Sequence, residues 1–394
     1  MSPHLSRTRT RLALWLAPLL LLVAACGDFS AEAVPYSVQP SLTPAVVTPV
    51  VPDPPTPGQS TSSSSSSSTS SAPPDPCVPT DPAVIAACLD APWGLVPLDG
   101  QSALVGERTT GRILLVAYQQ TPVEIATVPD VDASGDGGLL GLAVSPSYAE
   151  DGLIYAYVTT KTDNRIVRIA PGDTPKAIFT GIPRGAEHNG GPITFVDRFL
   201  YVATGDAGDP TAAGSDSSLA GKVLRLDEFG KPTGGTLTPG SPVFATGLTQ
   251  PTGMCVLATG NLGVMDHRKA QDLLLSVSAG HDYSQPKSGD SAWSWTKAEG
   301  GANDCAFDQG ILAATSLAGK QVVGLEMTEQ GTFTGDPAQL LGDKYGRLLT
   351  VEPGPESLFW ITTSNKDGAG DPTPSDDRVI VLPNSGGGGG GGPD

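Results

Sequence analysis

Between residues 112 and 382 the chain keeps repeating one pattern: four to eight apolar or alternating positions, then a break of Gly, Pro, Asn or Asp. The clearest runs are 112–116, 139–144, 153–158, 166–169, 199–203, 222–226, 358–362 and 379–382. Runs of that length between turn formers predict β-strands, because a helix would need a 3.6-residue period held over ten or more positions. Only 81–89 has the spacing of a short amphipathic helix. Many short strands in about 300 residues point to a sandwich, a barrel or a propeller. An internal echo favours the propeller. Ser218-Leu219-Ala220-Gly221-Lys222 returns as Ser316-Leu317-Ala318-Gly319-Lys320, each copy leading into an apolar strand. The two copies lie about 100 residues apart, or two blades of roughly 50.

The pattern stops at both ends of the chain. Arg7, Arg9 and Arg11 precede an apolar run, 12–23, that is short for a membrane span. The run ends in Val23-Ala24-Ala25-Cys26-Gly27, which reads as a lipoprotein cleavage box: residues 1–25 form the leader and Cys26 becomes the lipidated first residue. Two or more acyl chains hold a protein stably on a membrane where one does not. Residues 26–76 are rich in Pro, Ser and Thr, with no Lys or Arg between Cys26 and Arg108, and are expected to act as a tether. The folded domain is expected over 77–384, with a Gly-rich tail over 385–394. The expected location is extracytoplasmic, on the cell membrane.

Charge narrows the partners. The chain carries 23 Lys and Arg against 41 Asp and Glu, a net charge of −18, and losing the leader makes it three units more negative. Such a surface repels nucleic acid and anionic headgroups, so an anionic ligand would need a local basic cluster. Besides Cys26 there are four cysteines, an even number that outside the cytosol suggests two disulfides. Of the three possible pairings, Cys77–Cys88 is expected as a short clasp and Cys255–Cys305 as a longer staple. No CxxC occurs and the histidines are scattered, which does not resemble a zinc site.

Several motifs carry little. The Gly-rich segment 135–141 leads into a strand, so no helix N-terminus is offered to a phosphate. Asp132-x-Ser134-x-Asp136-Gly137 begins like a calcium loop, but Ala143 stands where the bidentate glutamate belongs. Similar acidic Gly loops occur at 205–209 and 367–371. No GxSxG and no HExxH occurs, which leaves serine-hydrolase and zincin readings without support. His188, in Gly185-Ala186-Glu187-His188-Asn189-Gly190-Gly191, is the exception. A histidine at a strand end beside glycines can stand over a cavity, and imidazole is suited to moving protons near neutral pH.

An ordered series of motifs resembles the glucose/sorbosone dehydrogenase family, the soluble quinoprotein aldose dehydrogenases. It runs from Pro92-Trp93-Gly94-Leu95 and Glu107-Arg108-Thr109-Thr110-Gly111-Arg112 through Gly138-Leu139-Leu140-Gly141 to His188-Asn189-Gly190-Gly191. It continues in 201–210, in Ser218-Leu219-Ala220-Gly221-Lys222-Val223-Leu224-Arg225, in Tyr345-Gly346-Arg347 and in Ser364-Asn365-Lys366-Asp367-Gly368. The resemblance implies an all-β, six-bladed β-propeller that carries pyrroloquinoline quinone (PQQ) and calcium on one face. It implies His188 as the base that takes the hydroxyl proton of a small-molecule sugar while hydride passes to the quinone. Glu187 and Asp136 fall at substrate-contact positions, and Arg347 at a position that holds the cofactor.

The chain also departs from the family pattern. Where the family reads GxRNPQG, this chain has Gly247-Leu248-Thr249-Gln250-Pro251-Thr252-Gly253, so Thr249 replaces the arginine that lies against the quinone. The EHGP segment becomes Asp266-His267-Arg268-Lys269, altering the Gly-Pro pair whose carbonyls help to hold calcium and leaving those positions to Arg268 and Lys269. An expected lysine appears as Ala318, with Lys320 two residues on, and the second arginine of GRxR is Leu349. A charge-assisted hydrogen bond is worth about 1.5–3 kcal/mol, so two or three losses weaken binding by powers of ten unless Arg268, Lys269, Lys320 or Lys344 compensate. A non-catalytic propeller that binds a glycan or an envelope protein therefore stands as the alternative.

Overall fold

The computed structural model describes residues 74–233 and 238–384. The leader, Cys26, the tether up to residue 73 and the Gly tail lie outside the described residues.

Six antiparallel sheets of four strands follow one another around a ring. Blade 1 is built from Pro92–Pro97, Ser102–Glu107, Arg112–Ala117 and Val123–Thr127, innermost strand first. Blade 2 follows with Leu139–Val144, Ile154–Thr159, Asn164–Ile169 and Lys176–Ile182, and blade 3 with Gly190–Val196, Phe199–Thr204, Lys222–Leu226 and Val243–Thr246. Blade 4 comprises Gln250–Val256, Leu262–His267, Gln271–Val277 and Ser291–Thr296, and blade 5 Asp304–Asp308, Ile311–Ser316, Gln321–Met327 and Phe333–Gly342. Blade 6 takes three strands from the C-terminal end, Leu348–Gly354, Leu358–Thr363 and Val379–Pro383, and its outermost strand, Val84–Ala86, from before blade 1. The six-bladed propeller expected from the sequence is the fold observed.

Both faces of each blade are covered by a neighbour, so six apolar clusters form, one at every junction between adjacent blades. Successive side chains on a strand point to opposite faces. Val223 therefore enters the junction of blades 3 and 4, while Leu224 enters that of blades 2 and 3. This is why the strands read as continuous apolar runs.

The helix expected over 81–89 is a correction. Val84–Ala86 is instead a strand, paired antiparallel with Val379–Pro383. It pairs inside blade 6, where the ring closes, and Ile85 and Ala86 complete the cluster between blades 6 and 1. Tertiary pairing overrides local spacing here. Both expected disulfides are present: Cys77–Cys88 clasps the segment that carries this closing strand, and Cys255–Cys305 joins the inner strands of blades 4 and 5.

Candidate functional site

Strands within a blade alternate in direction, so two kinds of connection open on the same end of the ring. They are the loop entering each innermost strand and the loop joining the second strand to the third. Asp136, Glu187, His188, Thr249 and Arg347 lie on the first kind; Asp206, Arg268, Lys269, Lys320 and Asp367 lie on the second. The topology thus gathers every expected site residue of the domain on one face, with His188 in blade 3 across the ring from Arg347 in blade 6.

The His188 turn is built by hydrogen bonds to its neighbour. Asn189 is buried, and its side chain accepts from Asn164 Nδ2 and from the Gly185 N–H, both at 3.0 Å. It also donates to Gly185 O at 3.0 Å and to the Asp136 carboxylate. Tyr157 Oη donates to the Asn189 carbonyl at 2.8 Å. His188 itself sits at φ 62, a left-handed conformation that costs a non-glycine residue about 1–3 kcal/mol unless the surroundings fix it. A glycine is required beside it, since a Cβ at Gly205 would lie 1.9 Å from the His188 carbonyl oxygen.

The imidazole is oriented by a carboxylate that the sequence showed only as part of an acidic Gly loop. His188 Nδ1 lies 2.8 Å from Asp206 Oδ1, and the Asp206 side chain is 3% exposed. Asp206 also accepts the Gly208 N–H at 2.8 Å, while its own N–H donates to the Thr249 carbonyl at 2.8 Å. A carboxylate can only accept, so Nδ1 carries the proton. In the neutral ring Nε2 is then the bare nitrogen, with no hydrogen-bond partner among the described residues. The pair can take a proton from a bound hydroxyl and stabilise the resulting cation.

Asp136 is placed beneath this turn: its Oδ2 accepts the His188 N–H at 2.6 Å. Its loop is tied down by two guanidinium groups. Arg108 Nη1 donates to Gly137 O at 2.8 Å and to Gly135 O at 3.3 Å, and Arg184 Nη1 meets Asp132 Oδ2 at 2.9 Å. The loop that began like a calcium site therefore wraps an arginine. Glu187 is exposed beside His188.

Several cations on this face are already balanced. Arg347 donates through Nε and Nη2 to Asp367 Oδ2 at 2.9 and 2.8 Å, while Nη1 makes only a 3.4 Å contact with Leu317 O. Arg268 folds back onto buried Asp266 at 2.8 Å and onto the carbonyls of Tyr283 and Gly247. Burial raises the Asp266 carboxyl to about 6 against the opposing pull of Arg268. Lys344 pairs with Asp81 at 3.0 Å. Lys320 and Lys269 have no ion-pair partner among the described residues. Thr249 donates its N–H to the Asp266 carboxylate at 3.0 Å and accepts the Asp206 backbone N–H on its carbonyl at 2.8 Å. Nearby, His267 Nε2 donates to Ala302 O at 2.6 Å, and burial pushes its pKa down.

The donor set fits a planar polycarboxylate in its chemistry. Lys320 is uncompensated, Arg347 keeps N–H groups that no strong acceptor occupies, and both share the face with the bare imidazole nitrogen. Residues 268–270 form a tight hairpin connection, with the Arg268 N–H to Gln271 O at 3.2 Å. Among the described residues no three His, Cys, Asp or Glu side chains converge on a metal position, so calcium at Arg268 and Lys269 would rest on main-chain carbonyls. A groove of about 630 Å³ beside Cys77–Cys88, between blades 1 and 6, contains none of these residues.

Comparison with known proteins covers most of the folded domain. Residues 89–300 match the family model for glucose/sorbosone dehydrogenase. The PQQ-bound aldose sugar dehydrogenase of Streptomyces coelicolor is similar at 36% identity and a TM-score of 0.72, over 76% of this chain and 96% of that one. A glucose dehydrogenase-type oxidoreductase of Thermus thermophilus is 30% identical at a TM-score of 0.69, over 76% and 98%. Quinoprotein glucose dehydrogenase B of Acinetobacter calcoaceticus is 25% identical over 302 residues, 65% of this chain. The match spans only 62% of that relative's own length.

Proposed function

The chain belongs to the glucose/sorbosone dehydrogenase family, as a PQQ-dependent sugar dehydrogenase-like propeller; from that membership we propose that it oxidises a sugar hydroxyl with His188 as the base. The observation that supports this reading is the His188–Asp206 pair, which leaves Nε2 bare on the face that also carries Lys320 and Arg347. Lys320 and Arg347 would hold carboxylates of PQQ, which when bound supplies the two-electron acceptor for the hydride. His188 Nε2 takes the hydroxyl proton, and Asp206, already bonded to Nδ1–H, stabilises the imidazolium. Glu187, exposed beside the base, is available to bind sugar hydroxyls. General-base catalysis is worth about 10²–10⁴-fold. In protein reconstituted with PQQ and calcium, His188→Ala should therefore cut turnover by about that factor while leaving the fold intact; full turnover in this variant would remove the proposed base.

The second reading is a non-catalytic propeller that binds a glycan or an envelope protein. Its support is the neutralisation of Arg268 and Arg347 by Asp266 and Asp367, together with Thr249 in place of an arginine. Failure of PQQ to bind would favour it.

The leader pattern and Cys26 support export and lipid anchoring of the mature chain at the cell membrane. Cys26→Ser should abolish incorporation of labelled palmitate and release the protein from the membrane fraction. Membrane retention without label would contradict anchoring at Cys26.

A further inference from the structure

We propose that Asp136 is a positioning residue for His188 and not a sugar contact, an inference that rests on the reading of His188 as the base. Its carboxylate has two oxygens, and both are engaged by the segment that carries the imidazole. Oδ2 accepts the His188 N–H at 2.6 Å and lies 3.4 Å from the Asn189 N–H, while Oδ1 accepts Asn189 Nδ2. Each oxygen thus spends its strongest hydrogen bond on the turn and not on a ligand hydroxyl.

The contact falls where it controls geometry. His188 occupies the left-handed region at φ 62, and its N–H would otherwise have no partner among the described residues. A carboxylate beneath that N–H fixes the peptide plane and hence the direction of the Cα–Cβ bond. The ring is then held at two points, Asp136 through the backbone and Asp206 through Nδ1. Asp136 comes from blade 2 and His188 from blade 3, so the base is registered across a blade junction. The platform is rigid: Arg108 binds the carbonyls of Gly135 and Gly137, and Arg184 binds Asp132 and Ser134. Gly135 is pressed so close that a Cβ there would lie 1.9 Å from the Ala186 carbonyl oxygen, two residues before the base. An uncharged amide at 136 would offer one acceptor where two donors converge, and its own N–H₂ would face the Asn189 amide. The chain's use of aspartate follows from that donor pattern.

Misplacement of a reacting group by about 1 Å can cost on the order of 10²-fold in rate. The test compares the full chain with Asp136→Ala and Asp136→Asn. With PQQ bound, kcat should fall about 10²-fold in Asp136→Ala and less in Asp136→Asn, with KM for the sugar little changed. Without cofactor, the chain labelled with ¹⁵N-histidine should show His188, identified by its absence from His188→Ala, as the Nδ1–H tautomer at pH 8.5. Asp136→Ala should turn that signal into a tautomer mixture, and Asp136→Asn should shift it part of the way. A raised KM with unchanged kcat and an unchanged imidazole signal would overturn the proposal in favour of a sugar contact. A lowered melting temperature with the signal unchanged would overturn it in favour of a purely structural role. The imidazole signal decides the matter even if the chain proves to have no turnover, so failure here and failure of the enzyme reading are separable.

Discussion

His188 and the carboxylates around it show how the same side chain takes different work from its surroundings. Asp206 orients an imidazole, Asp136 holds a backbone N–H, and Asp367 and Asp266 neutralise guanidinium groups. A fifth, Asp304, lies buried at the ring's axis and accepts N–H groups from blades 5 and 6 at 2.8 and 3.0 Å. Burial raises its carboxyl to about 7, and Glu352, beside it on the channel wall, is pushed up by burial and by the charge of Asp304. For both groups the folded state binds protons that the unfolded state has released. The contribution of Asp304 to stability is therefore complete below about pH 4 and is lost as pH rises through about 7, and that of Glu352 has the same sign. Glu352→Gln should raise the melting temperature at pH 8.5 and change it little at pH 5. Melting curves across that range check this, and an equal effect at both values would contradict it. None of these roles was legible in the sequence. His188 was, because its glycines and strand end are local; Asp206 sits eighteen residues away, and only the return of the chain through blade 3 brings it back.

At the scale of elements, the interior strands were legible because two buried faces leave a mark on every consecutive residue. Lys222–Leu226 and Val379–Pro383 appear in the sequence within a residue of where they fold. The closing strand was not. Val84–Ala86 has only three residues, and its partner lies almost 300 positions away, so local spacing suggested a helix where ring closure makes a strand. That closure is reinforced by Cys77–Cys88, which restrains the unfolded chain around the same strand. Removing it by Cys77→Ser with Cys88→Ser should cost about 2–4 kcal/mol of stability. Denaturant titration measures the loss; an unchanged midpoint would show that the clasp contributes nothing to closure.

For the molecule as a whole, fold and chemistry separate. The propeller is fixed by six blade junctions, and family membership follows from most of the domain. Activity depends on a handful of charges on one face of a strongly acidic protein, and a fold alone does not supply them. Sequence comparison identified the missing arginine at Thr249. It could not show that Arg268 and Arg347 are tied to acids, because that depends on where side chains meet. The proposed activity requires this face to bind a quinone and to reduce it with electrons from a sugar. The direct measurement is an anaerobic titration of the purified protein with PQQ and calcium, followed by a single addition of aldose. Wild type should show saturable binding and conversion of the quinone absorbance to that of the quinol, and His188→Ala binding with conversion slowed about 10²–10⁴-fold. Absence of saturable binding in the wild type would contradict the proposed activity.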